Sequence, residues 1–237
     1  MDVTDDLLAI NAEVCRELWR MVDTQEGTVG ALTPKLILPP RNNQEVRISE
    51  QEARFIYASV LTRAGRYFFS VETPTKGKYS FTNDADASPR SALSDLALWT
   101  FDRGFKMRAN IEFKAGNPPV DHISKDIEKL LGEGTTQRVA GNWFHLLKNV
   151  DGKTLPRLFA KFQEAFIKTA GIVACAADMQ PIVFCFCVLE KKWAILKVFA
   201  PHGDLAVYCR QFFDIGYAVR RGKISVEDSR GWLEVLP

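Results

Sequence analysis

The chain of 237 residues lacks any run approaching the roughly 20 consecutive apolar residues that span a bilayer, which excludes a transmembrane helix. Its first residues are acidic and carry no basic region followed by an apolar stretch, so no secretory signal is expected. Histidines number only three, and the five cysteines do not have zinc-site spacing. Cys185 and Cys187 flank Phe186 in an apolar run, face one way in a strand, and read as small hydrophobes in a reduced, cytoplasmic setting. There is no repeat, no low-complexity tract and no helicase or ATPase signature, so energy-driven unwinding would need a partner. What is present is ordinary globular composition, 46% hydrophobic and 25% charged, in a chain long enough for a full core.

Charge is scarce in sum but uneven along the chain. The net value of +2 is too small to announce a nucleic-acid binder. Residues 1–30, however, hold two basic and seven acidic side chains, which leaves +7 on the remainder. Phosphate contacts would come from that remainder. Arg63, Arg66, Lys76 and Lys78 lie around the first expected strand, and Arg103, Lys106 and Arg108 around a central hairpin. A solvated face is the commoner explanation of any one such group.

That hairpin carries the chemistry. Ser94 to Leu98 and Asn110 to Ala115 alternate apolar and polar residues and read as strands joined through Phe101 to Phe105. Residues two apart in a strand point the same way. Glu112 and Lys114 therefore share one face, and Ile111, Phe113 and Ala115 share a core face. Folding the second strand beside the first brings Asp95 towards Glu112 and Lys114. Two acids and a lysine suit a hard divalent cation beside a phosphate, because Mg²⁺ takes carboxylate oxygens, keeps waters and shares phosphate oxygens. Such an ion polarises the phosphoryl group and lowers the pKa of a bound water. A neighbouring lysine orients that water and balances developing charge. The plainer alternative is a solvated salt-bridge cluster of little energetic weight. Leu93, Leu96, Leu98, Trp99, Ile111 and Phe113 argue for central strands, where a carboxylate is costly unless something compensates it.

An acid on one strand followed by acid-x-Lys on the next resembles the active site of the PD-(D/E)XK nuclease superfamily, the restriction-endonuclease-like fold. Asp95 maps onto the first acid, and Glu112 with Lys114 onto the acid-x-Lys pair. Ser94 stands where a proline often precedes the acid. The flanks agree, from about Ile48 to Val150: a helix opening at Ser49, a strand over Tyr67 to Val71, the hairpin, a helix from His122 to Leu131, and a strand over Trp143 to Leu147.

The resemblance implies an α/β fold with a central mixed sheet flanked by helices. It also implies hydrolysis of phosphodiester bonds, most readily in DNA, leaving a 5′-phosphate. Asp95, Glu112 and the Phe113 carbonyl would ligate Mg²⁺, for which Mn²⁺ substitutes, and Lys114 would orient the water. Glu52 is a fourth candidate, since some members carry an acid on the first helix. It equally completes a capping box with Ser49. Glu72 reads as a solvated loop acid before Thr73-Pro74, Lys125 as solvated, and His202 as a turn residue. His122 and His145 are minor catalytic candidates.

The organisation expected is an N-terminal helix and linker over 1–43, the nuclease-like core over 44–150, and a C-terminal α/β extension over 151–237, packed on the core or extending it. In the extension, helices are expected over Leu155 to Thr169 and Asp204 to Arg221. Strands are expected over Ile182 to Leu189, Trp193 to Phe199 and near Trp232 to Leu236. A homodimer suits double-strand cutting, and no membrane partner is expected. The rival function is a catalytically inactive nucleic-acid- or protein-binding module on the same fold.

Overall fold

Leu7, Ile10, Val14, Leu18 and Met21 recur at helical spacing and are all buried in the first element, α1 (Val3–Gln25). The computed structural model describes residues 2–25, 49–79, 88–170, 179–200 and 205–237. The linker expected from about Gln25 to Asn43 lies outside these residues apart from Gln25, and so does His202.

Helix α2 (Glu50–Ala64) starts where Ser49 accepts the Gln51 N–H and stops where Gly65 turns left-handed at φ 62°. Then follow strands β1 (Phe68–Tyr79), β2 (Arg90–Phe101) and β3 (Phe105–Ala115), helix α3 (Val120–Thr136) and strand β4 (Ala140–Leu147). Helix α4 (Thr154–Ala170), strands β5 (Ile182–Val188) and β6 (Trp193–Phe199) and helix α5 (Leu205–Phe212) come next. Strands β7 (Gly216–Arg220), β8 (Lys223–Asp228) and β9 (Leu233–Val235) close the chain.

Seven strands form one mixed sheet in the order β1-β2-β3-β4-β5-β6-β9. β1, β2 and β3 are antiparallel neighbours, β3, β4 and β5 run parallel, and β6 and β9 return antiparallel. Parallel neighbours need a long crossover, which α3 and α4 supply. Over residues 50–147 the order is therefore helix, three antiparallel strands, helix, parallel strand. The C-terminal strands β5, β6 and β9 continue the same sheet.

Each sheet face carries a core. One face packs Leu96, Ile111, Phe113, Phe144 and Cys185 under α1 and α2. The other packs Trp143, Phe162, Phe184 and Phe186 with α3, α4 and α5. Cys185 and Cys187 do face one way, into the α1 side, and Phe186 faces the other. Cys15, Cys185, Cys187 and Cys209 are free and buried. Among the described residues no helix is long and apolar enough to cross a membrane.

Two sequence expectations are corrected. The helix expected over Asp204 to Arg221 ends at Phe212, and β7 and β8 form a separate hairpin. Tyr217 and Val219 face Val226 and Ile224 in strand alternation, and Arg221 and Gly222 turn the chain with positive φ (50° and 78°), a hairpin signal stronger than the aromatic spacing. The first strand also runs on to Tyr79, so Glu72 is a strand residue rather than a loop one.

Candidate active site

Side-chain alternation places Glu112 and Lys114 on the α3 side of β3, with Ile111 and Phe113 on the opposite core face. Leu96 pairs with Ile111, which sets Asp95 beside Glu112. Val71 pairs with Leu96 and Thr73 with Ser94, which sets Glu72 opposite Asp95. Glu72, Asp95 and Glu112 thus form a row across three strands. Glu72 holds its place in the row with a left-handed backbone, φ 49°, a conformation that costs a non-glycine residue about 1–2 kcal/mol.

The acids are not bare. Arg54 of α2 reaches Glu72 Oε1 with Nη1 at 2.7 Å and Asp95 Oδ1 with Nη2 at 2.6 Å. The other Asp95 oxygen accepts the Phe113 N–H at 2.8 Å. Lys129 of α3 donates to Glu112 Oε2 at 2.8 Å, to Asp126 Oδ1 at 2.8 Å and to the Leu93 carbonyl at 3.0 Å. Lys114 donates to Asp126 Oδ2 at 2.6 Å and to the Phe113 carbonyl at 3.0 Å. Three carboxylates therefore meet three cations in the buried part of the site, with Glu72 more exposed at its edge.

Helix α3 is fastened in position to do this. One turn after Lys129, Glu133 accepts the Gly77 N–H of β1 at 2.7 Å. Tyr79 lies against Gly77 and Gly132, where an added Cβ would meet its hydroxyl at 2.7 Å. A larger side chain at either glycine would force the Tyr79 side chain from its place between β1 and α3.

Burial sets the electrostatics. Glu112 is 1% exposed, and that desolvation, with the charges of Asp126 and Asp95, holds its carboxyl well above the usual range, while Lys129 opposes the shift. Burial disfavours the charged form of Lys129, but Glu112 and Asp126 outweigh it and raise its pKa. Lys114 follows the same balance, with Asp126 outweighing burial. The two partners of the Glu112–Lys129 contact pull in opposite senses: burial favours a protonated Glu112, the raised Lys129 an ionised one. Lys129 stays charged, because it has two carboxylates and a carbonyl, whereas Glu112 has one ammonium and a desolvated oxygen.

Two atoms of this network, Glu112 Oε1 and Arg54 Nε, are buried and without a hydrogen-bond partner, and Glu112 Oε1 is the one acceptor among them. Such an atom in a native interior asks for a water, an ion or a functional reason. Among the described residues, however, no three His, Cys, Asp or Glu side chains converge as a cation cage. Glu112 Oε1 has no protein donor for a divalent ion to displace. Asp95 fits only if Arg54 yields Oδ1, and the Phe113 carbonyl only if Lys114 yields it. Beyond the C-terminal ends of β3 and β4 a cleft of about 290 Å³ opens between Gly116, Asn117, Lys148 and Arg157, at the end of the sheet where open α/β folds take ligands.

Of the sequence candidates, Asp95, Glu112, Lys114 and the Phe113 carbonyl come together. Glu52 is buried but makes no hydrogen bond or ion pair with them, nor does it close the capping box on Ser49. The α2 acid that touches this region is Glu50, which accepts the Ala115 N–H at 3.3 Å. Lys125 and His122 are exposed. His145 is an interior residue, fully buried beside Trp143 and Phe186 with Nε2 at 2.8 Å from the Gly116 carbonyl, and burial pushes its imidazole down to about 4.

Sequence reasoning missed Arg54, Asp126 and Lys129. The last two had a signal: they lie on the α3 stripe with Ile123, Ile127 and Leu130, all buried. Charged residues at the interior positions of an amphipathic helix must be paired with something. Arg54, on the helix before the strands, gave no such sign. No family model, curated protein or solved structure matches the chain.

Proposed function

We propose that this chain is a metal-dependent phosphodiesterase acting on nucleic acid, most readily DNA, with the restriction-endonuclease-like core over residues 44–150. The observation that carries the reading is the unpartnered, buried Glu112 Oε1 in a row with Asp95 on paired central strands, with Lys114 next to it. The order of elements from α2 to β4 supports it.

Asp95, Glu112 and the Phe113 carbonyl would hold Mg²⁺, or Mn²⁺ in its place. Once bound, the ion would polarise the phosphoryl group and acidify a water. Lys114, released from the Phe113 carbonyl, orients the attacking water and meets charge developing on the phosphoryl oxygens. Asp126 keeps its ammonium charged and near β3. Lys129 holds Glu112 Oε2 and leaves Oε1 without a protein donor. Arg54 steadies Asp95 and, on yielding it, has a planar donor fork that matches a phosphate. One site per chain would require two copies to cut both strands of a duplex.

A second reading has its own observation. Both Asp95 oxygens and one Glu112 oxygen already have protein donors, so the cluster is neutralised from within. A binding module without chemistry on the same fold would look like this.

The deciding experiment is cleavage of a labelled panel (plasmid, linear duplex, single strand, RNA, branched junction) with Mg²⁺ or Mn²⁺, beside Lys114→Ala and Glu112→Gln. Metal-dependent cutting that both changes reduce by at least about 10²-fold is expected. No cutting of any substrate, together with no calorimetric uptake of Mn²⁺, would leave the binding module.

A further inference from the structure

At the far end of the same hairpin the molecule leaves three aromatic rings open. Phe101 and Phe105 flank the turn, and Phe68 of β1 lies against both. The ring centroids are 5.1 Å apart between Phe101 and Phe105, 5.3 Å between Phe68 and Phe105, and 6.4 Å between Phe68 and Phe101. All three pairs meet edge to face, at 65°, 85° and 66°, so the rings do not stack on one another. Exposures are 56% for Phe68, 61% for Phe101 and 60% for Phe105. A contiguous apolar patch of this kind marks a contact surface.

The surrounding charge says what kind of contact. Arg103, Lys106 and Arg108 are exposed on the turn and the start of β3, and none forms an ion pair among the described residues. Asp102 is the one acid in the turn itself. A second copy of the chain is a poor occupant, because a two-fold interface sets the same basic residues against each other. A polyanion with flat apolar faces matches both features. An unpaired nucleic-acid strand offers phosphates to the cations and bases to the rings, whereas a duplex keeps its base faces stacked inside.

We propose that the β2–β3 hairpin tip is a stacking platform for an unpaired nucleic-acid strand. This rests on reading the acid row as a nucleic-acid site, and it names the form of the substrate: single-stranded, or with a single-stranded branch. From Asp95 to Phe101 along β2, at about 3.3 Å per residue, is roughly 20 Å, so one strand runs from the platform to the acids.

The test uses the full chain in chelator and fluorescence anisotropy. The probes are labelled oligothymidylate, a duplex of the same length, and an abasic strand with the same phosphates. Oligothymidylate binds at least about tenfold more tightly than the other two, and Phe101→Ala with Phe105→Ala removes that preference while leaving abasic binding unchanged. Arg103→Ala with Lys106→Ala weakens all three and flattens their salt dependence. Equal binding of the probes, or a preference that survives loss of the two rings, overturns the proposal. So does a phenylalanine pair whose only effect is on sedimentation mass or on pelleting with anionic vesicles, which would assign the tip to self-association or a lipid surface. Both rings are largely exposed, and an unchanged thermal melt shows that the variant folds.

Hydrolysis of bis(p-nitrophenyl) phosphate with Mn²⁺ separates this from the phosphodiesterase reading, because that ester is too small to reach the tip. Base-dependent binding without hydrolysis keeps the platform and removes the catalysis. Hydrolysis lost in Glu112→Gln, without base-dependent binding, does the reverse.

Discussion

Strands β3 and β5 lie at comparable depth in one sheet and are built to opposite ends. Every residue of β5 is buried, and each is apolar: Cys185 and Cys187 fill the α1 side, Phe184 and Phe186 the α4 side. In β3, Ile111 and Phe113 do the same work on the α1 and α2 side, yet the other face presents Glu112 and Lys114. Burial of β5 is its own reason, since removing apolar surface from water stabilises the fold. Burial of Glu112 is opposed by desolvation and by the charge of Asp126, and only Lys129, held by α3, offsets them. A well-packed apolar pair in that place would be as stable or more so. Stability alone therefore does not account for the charged version.

The comparison breaks most visibly in β5. Phe184→Ala should lower stability by about 3–5 kcal/mol in urea unfolding, because the ring is fully buried among aromatics. A loss below about 1 kcal/mol would mean that this face is not a packed core.

Lys129→Met should cost somewhat less, about 3 kcal/mol, because Glu112 can take up a proton instead of remaining a bare buried charge. For the same reason the cost should be smaller at pH 5 than at pH 8. Adding Glu112→Leu to Lys129→Met leaves the Lys114–Asp126 contact in place and should recover most of the loss. Simple additivity of the two changes would show that the pair does not interact.

His145 tests the same point with a neutral group. Its imidazole is pushed down to about 4, so the folded state binds fewer protons than the unfolded one between about pH 6.5 and 4. The contribution is present above pH 6.5 and lost as pH falls through that window, about 3 kcal/mol in all for a fully buried ring. Glu112 has the opposite sign: with its folded value raised, its contribution is present at low pH and lost as pH rises through that value. Unfolding midpoints at pH 7 and pH 4.5 for wild type and His145→Gln check it, since the substitution should flatten the acid limb.

Glu72→Ala should do least. Its pair with Arg54 is half exposed at the rim, and its loss should cost under about 1 kcal/mol, offset in part by relief of the left-handed backbone only if the new residue escapes it. A larger loss would make the whole row, and not just Glu112, part of the buried network.

The elements were legible where one periodicity dominates. The Ser49 cap, the apolar spacing of α1 and the alternation of Ile111 and Phe113 each state their geometry locally. The helix expected across Asp204 to Arg221 failed because its aromatics suit a helix and a strand alike, and the Arg221-Gly222 turn decides between them. In the candidate site, Asp95, Glu112 and Lys114 could be read as neighbours because strand pairing is a short-range rule. Their counter-charges could not. Asp126 and Lys129 reach Glu112 and Lys114 only through the docking of α3, and Arg54 reaches Asp95 only through the docking of α2.

By itself, then, the amino-acid order determined which residues face the same way, since side-chain direction repeats every two residues in a strand and every 3.6 in a helix. It also placed Asp95, Glu112 and a basic turn flanked by Phe101 and Phe105 on one hairpin. The tertiary structure alone decided how the row is neutralised and which carboxylate oxygen is left without a partner. That depends on the packing of α2 and α3 against the sheet, and on a local dielectric that no stretch of sequence sets alone.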